Sequence, residues 1–546
     1  VLARTKIGYG LSFSRFCINR AARAIMSAPR GETVPYRLII LFALLLWSGE
    51  YARRDLWEPD EARFALVARE MREDGRWRVP HRQGEPYAHK PPLMFWLINA
   101  AVAAGLPERV AARVPSFIGA ALSLVAVARL AERWRGRRAA VSSALAISTS
   151  FLFWNKGGFG QIDMLLCGLE MTGLMWMFTA DGQSRRRAAA YLCWGLAVLA
   201  KGPVGLLIPM AVYAAVSAAS GDRASALGLH WVWGPVLALA VPGAWLAAAA
   251  WQGAPPGFFR ELLFDQNIGR VAGAYDHRQP WYYFLAYFPL DFLPWTLALP
   301  IAARALMQSA DDRRFLRAML AWIGVVIFLF SLSVSKRNLY ILVAYPAAAM
   351  LIGGSLDGWA SVGAAWPRAT RVALRVLLGL LSTGLVAAMF VPAAALPWWS
   401  ALPPALAFAA GAARRKTEEP AAWMRATMAA VAVGYALVGA LVYPQFNDRK
   451  TPDEIAPVAE RVLAPSQYII LYKQHGEIVS LYARRPGRMA DNEEELRALL
   501  AHQPRNLIVT ASERLAEVQA VVGTDAPVGY LTYGSKRRVW IEWPAP

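Results

Sequence analysis

The sequence WEPDEAR (57–63) sets three carboxylates, Glu58, Asp60 and Glu61, directly after a strongly apolar stretch. Acids so placed stand at a membrane surface, where one can act as a general base or stabilise a cationic centre. The pattern also suits a helix start, with Asp60 as the cap and Glu61 in the first turn against the helix dipole. A further acid, Asp163, lies in QIDMLLC (161–167) at the start of another apolar stretch, beside Lys156 and Gln161. A carboxylate there is costly unless paired or at the interface, which makes Asp163 a functional candidate.

Arg supplies nearly all the positive charge: only nine of the 58 Lys and Arg are Lys. Four of these, Lys90, Lys156, Lys201 and Lys336, stand at the end of an apolar stretch or in a short loop beside one. A single such Lys ordinarily snorkels to the head groups. Four of them, with Lys so rare elsewhere, favour an anion site, and Arg63, Arg270, Arg278 and Arg337 fall where they could complete a phosphate clamp. Candidate metal ligands are Glu85, His89 and His277, far apart and without a motif spacing such as HExxH. No cofactor is required on this reading, and a divalent metal ion is left open. Three Cys (Cys17, Cys167, Cys193) give no disulfide or thiolate-metal framework.

These side chains need elements to hold them, and the composition says which. Hydrophobic residues make up 56% of the 546, charged residues 18%, and the mean hydropathy is +0.31. That is a polytopic α-helical membrane protein. Thirteen transmembrane helices are predicted, over 37–49, 110–131, 139–154, 162–180, 188–201, 203–219, 231–251, 284–306, 315–334, 339–356, 371–391, 397–412 and 423–443. The net charge of +20 lies in short clusters between them, which argues for membrane lipids and against nucleic acid as a partner. The clusters at 132–138, 181–187, 220–223, 311–314, 367–371 and 413–416 share one face only if 91–105 lies along the membrane instead of crossing it. The N-terminus is then cytoplasmic, with no cleavable signal peptide expected in 1–35, and the C-terminus lies outside. The four lysines and the acids fall on the outer face.

Three large pieces are expected there: 50–109, with an amphipathic helix near 61–72 and the apolar helix 91–105; 252–283; and 444–546. The chain thus divides into a transmembrane domain, 1–443, and a soluble α/β domain, 444–546. The latter has strands expected at 468–472, 506–510, 528–533 and 538–543, helices at 493–502 and 511–522, and a hairpin at Gly534-Ser535.

WEPDEARFALVAREM (57–71) followed by GRWRVPHRQGEPYAHKPPLMFW (75–96) resembles the polyprenyl-phosphate-dependent glycosyltransferases of the C-type (GT-C) membrane fold. The resemblance is strongest to the branch that transfers 4-amino-4-deoxy-L-arabinose to lipid A. It continues through QIDM (161–164), LAKGP (199–203), HRQPWYY (277–283) and SKRNLYILVAYPA (335–347). It implies that Asp60 is the catalytic carboxylate and Asp163 the second outer-loop acid, with Glu58 a further acidic candidate. It also implies that Arg63, Lys90, Lys201, Arg270 and Tyr345 contact the donor phosphate, and Lys336 joins them by its place on the same face. Many relatives have Glu directly before the Lys of the Lys-Pro motif, where this chain has His89; Glu85, four residues earlier, is the candidate replacement.

The activity implied is that of an inverting pentosyltransferase in the bacterial inner membrane. It would move aminoarabinose from undecaprenyl phosphate to a lipid A phosphate at the periplasmic face, as a monomer, and so confer polymyxin resistance. Asp60 would serve as base, as acceptor-orienting group or as stabiliser of the cationic sugar, and Glu58, Asp60 or Asp163 could bind the sugar's amine. The rivals are a protein mannosyltransferase of the same fold, a lipid transporter and a membrane scaffold. Transporters often carry polar residues at the membrane midplane, whereas here the ionisable residues gather at one face.

Overall fold

A computed structural model describes residues 35–222, 230, 232–269, 278–392, 394–414, 419–534 and 537–544. Helix occupies all thirteen predicted apolar stretches. Among the described residues six helices are long and apolar enough to cross a membrane. The pair Tyr283–Asp291 and Trp295–Ala305, bent by 92°, makes a seventh if it is one span. Pro294 stands in the break, where it cannot donate a backbone hydrogen bond. The stretch at 139–154 is likewise two helices, Arg137–Ser148 and Phe151–Gly158.

The apolar stretch at 91–105 forms the helix Leu93–Ala103. Eleven residues rise only about 16 Å, half the hydrocarbon thickness of a bilayer. Its Met94, Phe95 and Ile98 pack on Phe64, Val67, Ala68 and Met71 of the amphipathic helix Asp60–Asp74. The two short helices therefore form one layer at an end of the bundle.

Small residues fix the acid at 163 beside that layer. A Cβ added to Gly119 would lie 2.1 Å from the Met164 carbonyl oxygen, and one on Gly168 would lie 2.4 Å from the Gly119 Cα. The helices Val114–Arg135 and Ile162–Phe178 thus touch backbone to backbone, as small residues allow in membranes.

The loop carrying Lys90 is held by a two-strand hairpin, β1 (His81–Arg82) and β2 (Glu85–Pro86). Its turn, Gln83-Gly84, has positive φ at both residues (56° and 81°), the geometry of a tight hairpin turn. The buried Glu70 carboxylate accepts from the backbone N–H of Gln83 (2.8 Å) and of Gly84 (3.2 Å), tying the turn to the Asp60 helix.

Past the last apolar helix the chain forms a five-stranded sheet in the order β4-β3-β5-β7-β6. Its strands are β3 (Ile469–Tyr472), β4 (Gly487–Ala490), β5 (Asn506–Ala511), β6 (Val528–Leu531) and β7 (Arg538–Trp543). β3 runs parallel to β4 and β5, and β7 is antiparallel to β5 and β6. Strand β4 was not expected from the sequence, and Ser535 of the expected hairpin lies outside the described residues. One face of the sheet shares a core with the membrane-proximal layer: Leu56, Ala62, Ala65 and Ala112 cluster with Ile469, Leu471, Ile478 and Leu507. This buried apolar contact seats the C-terminal part of the chain on the underside of the Asp60 helix.

Candidate active site

Asp60 opens its helix without capping it. The residue before the helix is Pro59, and no side chain caps the N-terminus. The Asp60 carboxylate instead faces cations and an amide. Oδ1 accepts from Arg63 Nη2 at 3.1 Å, and Oδ2 accepts from Gln161 Nε2 and Arg337 Nη2, each at 3.0 Å. Burial alone would raise its pKa, but Arg337 and Arg63 outweigh burial and hold it below the ordinary aspartate range. The group is a carboxylate anion at neutral pH.

Glu61, its neighbour, does different work. Its carboxylate accepts from Arg54 Nη1 (2.7 Å) and Nη2 (2.8 Å), and from Arg113 Nε (2.8 Å). It also accepts from the backbone N–H of Trp57 (3.1 Å) and Gly160 (2.9 Å). Arg54 reaches Glu50 at 2.9 Å as well, and none of the four ions is more than 1% exposed. Burial would raise the Glu61 pKa, but Arg113 and Arg54 drive it far down. Two acids and two bases cancel, so the cluster is a neutral buried knot. It joins the end of the first apolar helix, the Asp60 helix, the start of Val114–Arg135 and the loop before Asp163. Arg54 also lies over the Phe159 ring, 3.8 Å from its centroid.

Above the knot is a cavity of about 470 Å³ with Asp60, Arg63, Lys90, Asp163, Lys201 and Arg337 on its wall. Tyr87, His89, Gln161, Asp265, Gln266, Ser335 and Tyr340 complete the polar lining. Six separated segments supply these groups, which is why spacing along the chain does not reveal the set. Asp163 pairs with Lys201, whose ammonium lies 4.3 Å from the Tyr340 ring centroid. Arg63 is held near Tyr87 and, across to the C-terminal part, lies 4.0 Å from Glu477. Burial would lower the Arg63 pKa, and Tyr87, Asp60 and Glu477 raise it above the ordinary value.

Other expected site residues lie elsewhere. Glu58 turns away to Arg538 of β7, at 3.6 Å. Lys336 donates to the carbonyls of Gln279 (3.1 Å) and Ser333 and does not line the cavity. Residues 335–337 are extended, with Ser335 bridged to Arg278, so Ser335 and Arg337 face the cavity and Lys336 faces away. Tyr345 is fully buried in its helix, its ring stacked on Phe288 (5.2 Å) and Phe292 (5.8 Å), and it does not line the cavity either. Lys156 lies over the Phe159 ring at 5.5 Å. Arg270 and His277 lie outside the described residues. Of the candidate metal ligands, Glu85 is exposed in β2 and His89 pairs with Glu261 at 3.1 Å. Among the described residues no three His, Cys, Asp or Glu are grouped to hold a metal ion.

Residues 89–247 match the family model described as dolichyl-phosphate-mannose-protein mannosyltransferase. Undecaprenyl phosphate-alpha-4-amino-4-deoxy-L-arabinose arabinosyl transferase 1 of Pseudomonas fluorescens is 30% identical over 363 residues. That match takes in 65% of this chain and 64% of the relative, so the chain spans just under two thirds of the relative's length. The arabinosyl transferase of Erwinia tasmaniensis is 26% identical over 464 residues, 79% of this chain and 81% of that one. The crystal structure of ArnT from Cupriavidus metallidurans bound to undecaprenyl phosphate superposes with a TM-score of 0.73 at 22% identity, covering 92% of this chain and 97% of that chain. The chain is thus a multi-pass membrane protein with the GT-C glycosyltransferase fold, similar in sequence to the undecaprenyl phosphate-aminoarabinose arabinosyl transferases.

Proposed function

We propose that the protein transfers 4-amino-4-deoxy-L-arabinose from undecaprenyl phosphate to a phosphate of lipid A. On this reading the C1–O bond of the donor breaks with its electron pair leaving on the undecaprenyl phosphate. A lipid A phosphate oxygen forms the new bond to C1 from the opposite side, inverting the centre. Lys90, Arg63 and Arg337 take the charge that develops on the leaving phosphate, with Arg270 as a further contact. Asp60, fixed between two guanidinium groups, stabilises the positive charge on the sugar, and Asp163 holds Lys201 in place.

One observation carries the choice of acceptor. Asp60 has a depressed pKa and is a weak base, ill suited to pulling the proton from a hydroxyl. A phosphate acceptor is mostly ionised at neutral pH, its second pKa being about 6, and needs no strong base. This favours lipid A phosphate over the protein hydroxyl of a mannosyltransferase, the reading that the family model at 89–247 would otherwise support.

The thirteen helical stretches all cross the inner membrane in this account, the shorter ones inside the bundle where neighbours cover their ends. The N-terminus is cytoplasmic, and the cavity and residues 444–546 are periplasmic. The enzyme acts as a monomer and confers resistance to polymyxin by masking lipid A phosphates. Purified protein in liposomes, given lipid A with either undecaprenyl phosphate-aminoarabinose or a polyprenyl phosphate-mannose, tests the assignment. Transfer from the first donor alone is expected. Transfer from the mannosyl donor to a Ser/Thr peptide would replace it with the mannosyltransferase.

A further inference from the structure

Three carboxylates line the cavity: Asp60, Asp163 and Asp265. Two are already committed, Asp60 to Arg63 and Arg337, and Asp163 to Lys201. Glu58 is occupied by Arg538 and Glu261 by His89. Asp265 is exposed at the cavity and has no ion-pair or hydrogen-bond partner among the described residues. Beside it, Gln266 has a buried Oε1 with no donor among the described residues. Both stand on the π-helical turn Glu261–Gly269, a rare geometry that recurs at functional sites.

A buried acceptor without a donor is costly, and the exposed Asp265 carboxylate beside it offers a negative charge at the cavity that no cation of the described residues takes up. A primary ammonium answers both, having three N–H donors, a positive charge and no acceptor. The four cations on the rest of the wall would repel it and attract a phosphate. The geometry points to Asp265 and Gln266 as the subsite that binds the ammonium of the donor sugar and sets the enzyme's preference for an amino sugar. The inference rests on the aminoarabinose reading above. It also assigns the amine to Asp265 on that helical turn, and not to Glu58, Asp60 or Asp163, which have other partners.

The test is the full-length purified enzyme with two donors that differ only at nitrogen: undecaprenyl phosphate-aminoarabinose and its neutral N-acetyl derivative. Asp265→Asn should lower kcat/KM for the amino donor about 10- to 100-fold, the worth of a charge-assisted contact. It should leave the N-acetyl donor within about twofold, so the preference collapses, while Asp265→Glu keeps it. Gln266→Leu should weaken the same preference more mildly. Equal losses on both donors, or no loss on either, would overturn the subsite and leave the transferase reading standing. A wild-type enzyme that uses neither donor would overturn the transferase reading, and the subsite with it.

Discussion

The adjacent acids Asp60 and Glu61 should fail in opposite ways when each is made a neutral isostere. Asp60→Asn keeps the shape of the side chain. Its two Arg partners are 25% and 33% exposed at the cavity wall, so water can serve them once the charge is gone. The Asp60 carboxylate is itself only 7% exposed, so the stability cost lies above that of a surface ion pair and below that of a closed charge cluster, about 1–2 kcal/mol. The rate should fall by a factor of about 10² or more, because the charge facing the sugar is lost. Glu61→Gln is the reverse case. The carboxylate takes three guanidinium hydrogen bonds of 2.8 Å or less from two Arg that are 0% exposed. Removing its charge leaves Arg54 and Arg113 facing Glu50 alone, a net positive charge in a closed core. Breaking such a buried group costs about 3–5 kcal/mol. The assay is a paired measurement of thermal midpoint and transfer rate on purified protein. Asp60→Asn should be stable and inactive, and Glu61→Gln poorly expressed or sharply less stable. A stable Glu61→Gln, or an Asp60→Asn with wild-type rate, would refute the division of labour.

Lys90→Ala and Arg63→Ala should each cut kcat/KM about tenfold or more through weaker donor binding, with protein level unchanged; Lys90→Arg should not restore it, since a planar fork replaces a point charge. Isothermal binding of undecaprenyl phosphate at wild-type affinity by the Lys90→Ala protein would remove Lys90 from the phosphate site. For pH, Asp60 has a lowered folded pKa, so its charge persists as the solution is acidified and is lost only below the ordinary aspartate value of about 3.9. The loss of rate on acidification should therefore lie near pH 6, where the acceptor phosphate gains a proton, at about its second pKa. A limb that stays fixed when the acceptor is exchanged for one of different pKa would return it to the enzyme. For topology, in a cysteine-free background an impermeant thiol reagent applied to cells with a permeabilised outer membrane should label Glu494→Cys and spare Gln183→Cys, both exposed positions. The opposite result would invert the protein in the membrane.

The helical stretches and four of the sheet's five strands lie close to the expected positions because hydrophobic runs and β-branched alternation are local signals. Strand β4, GRMA, carries neither, being a short edge strand whose order comes from pairing with β3. WEPDEAR supplies Asp60 and Arg63 to the cavity wall, yet its division into a cavity-facing and a buried acid depends on Arg54, Arg113 and Arg337, which approach from three other segments. Lys336 and Arg337 show the same limit. Reading 335–337 as extended would have sent neighbouring side chains to opposite faces, but the run looks like the start of a helix. Tyr345 is the first residue of the apolar helix Tyr345–Ser355, where aromatic packing claims it. Asp265 lies in a connection with no periodicity to mark it, and only the fold brings it to the cavity wall.

Transfer of aminoarabinose to lipid A at the cavity around Asp60 is the step on which every other assigned role depends. Its most direct test is mass spectrometry of lipid A from cells that make the undecaprenyl phosphate-aminoarabinose donor but lack their own transferase. Expression of the wild-type chain should add one aminopentose increment to lipid A, and Asp60→Asn at equal protein level should add none. Unmodified lipid A with the wild-type chain, or the same increment with Asp60→Asn, would contradict the account.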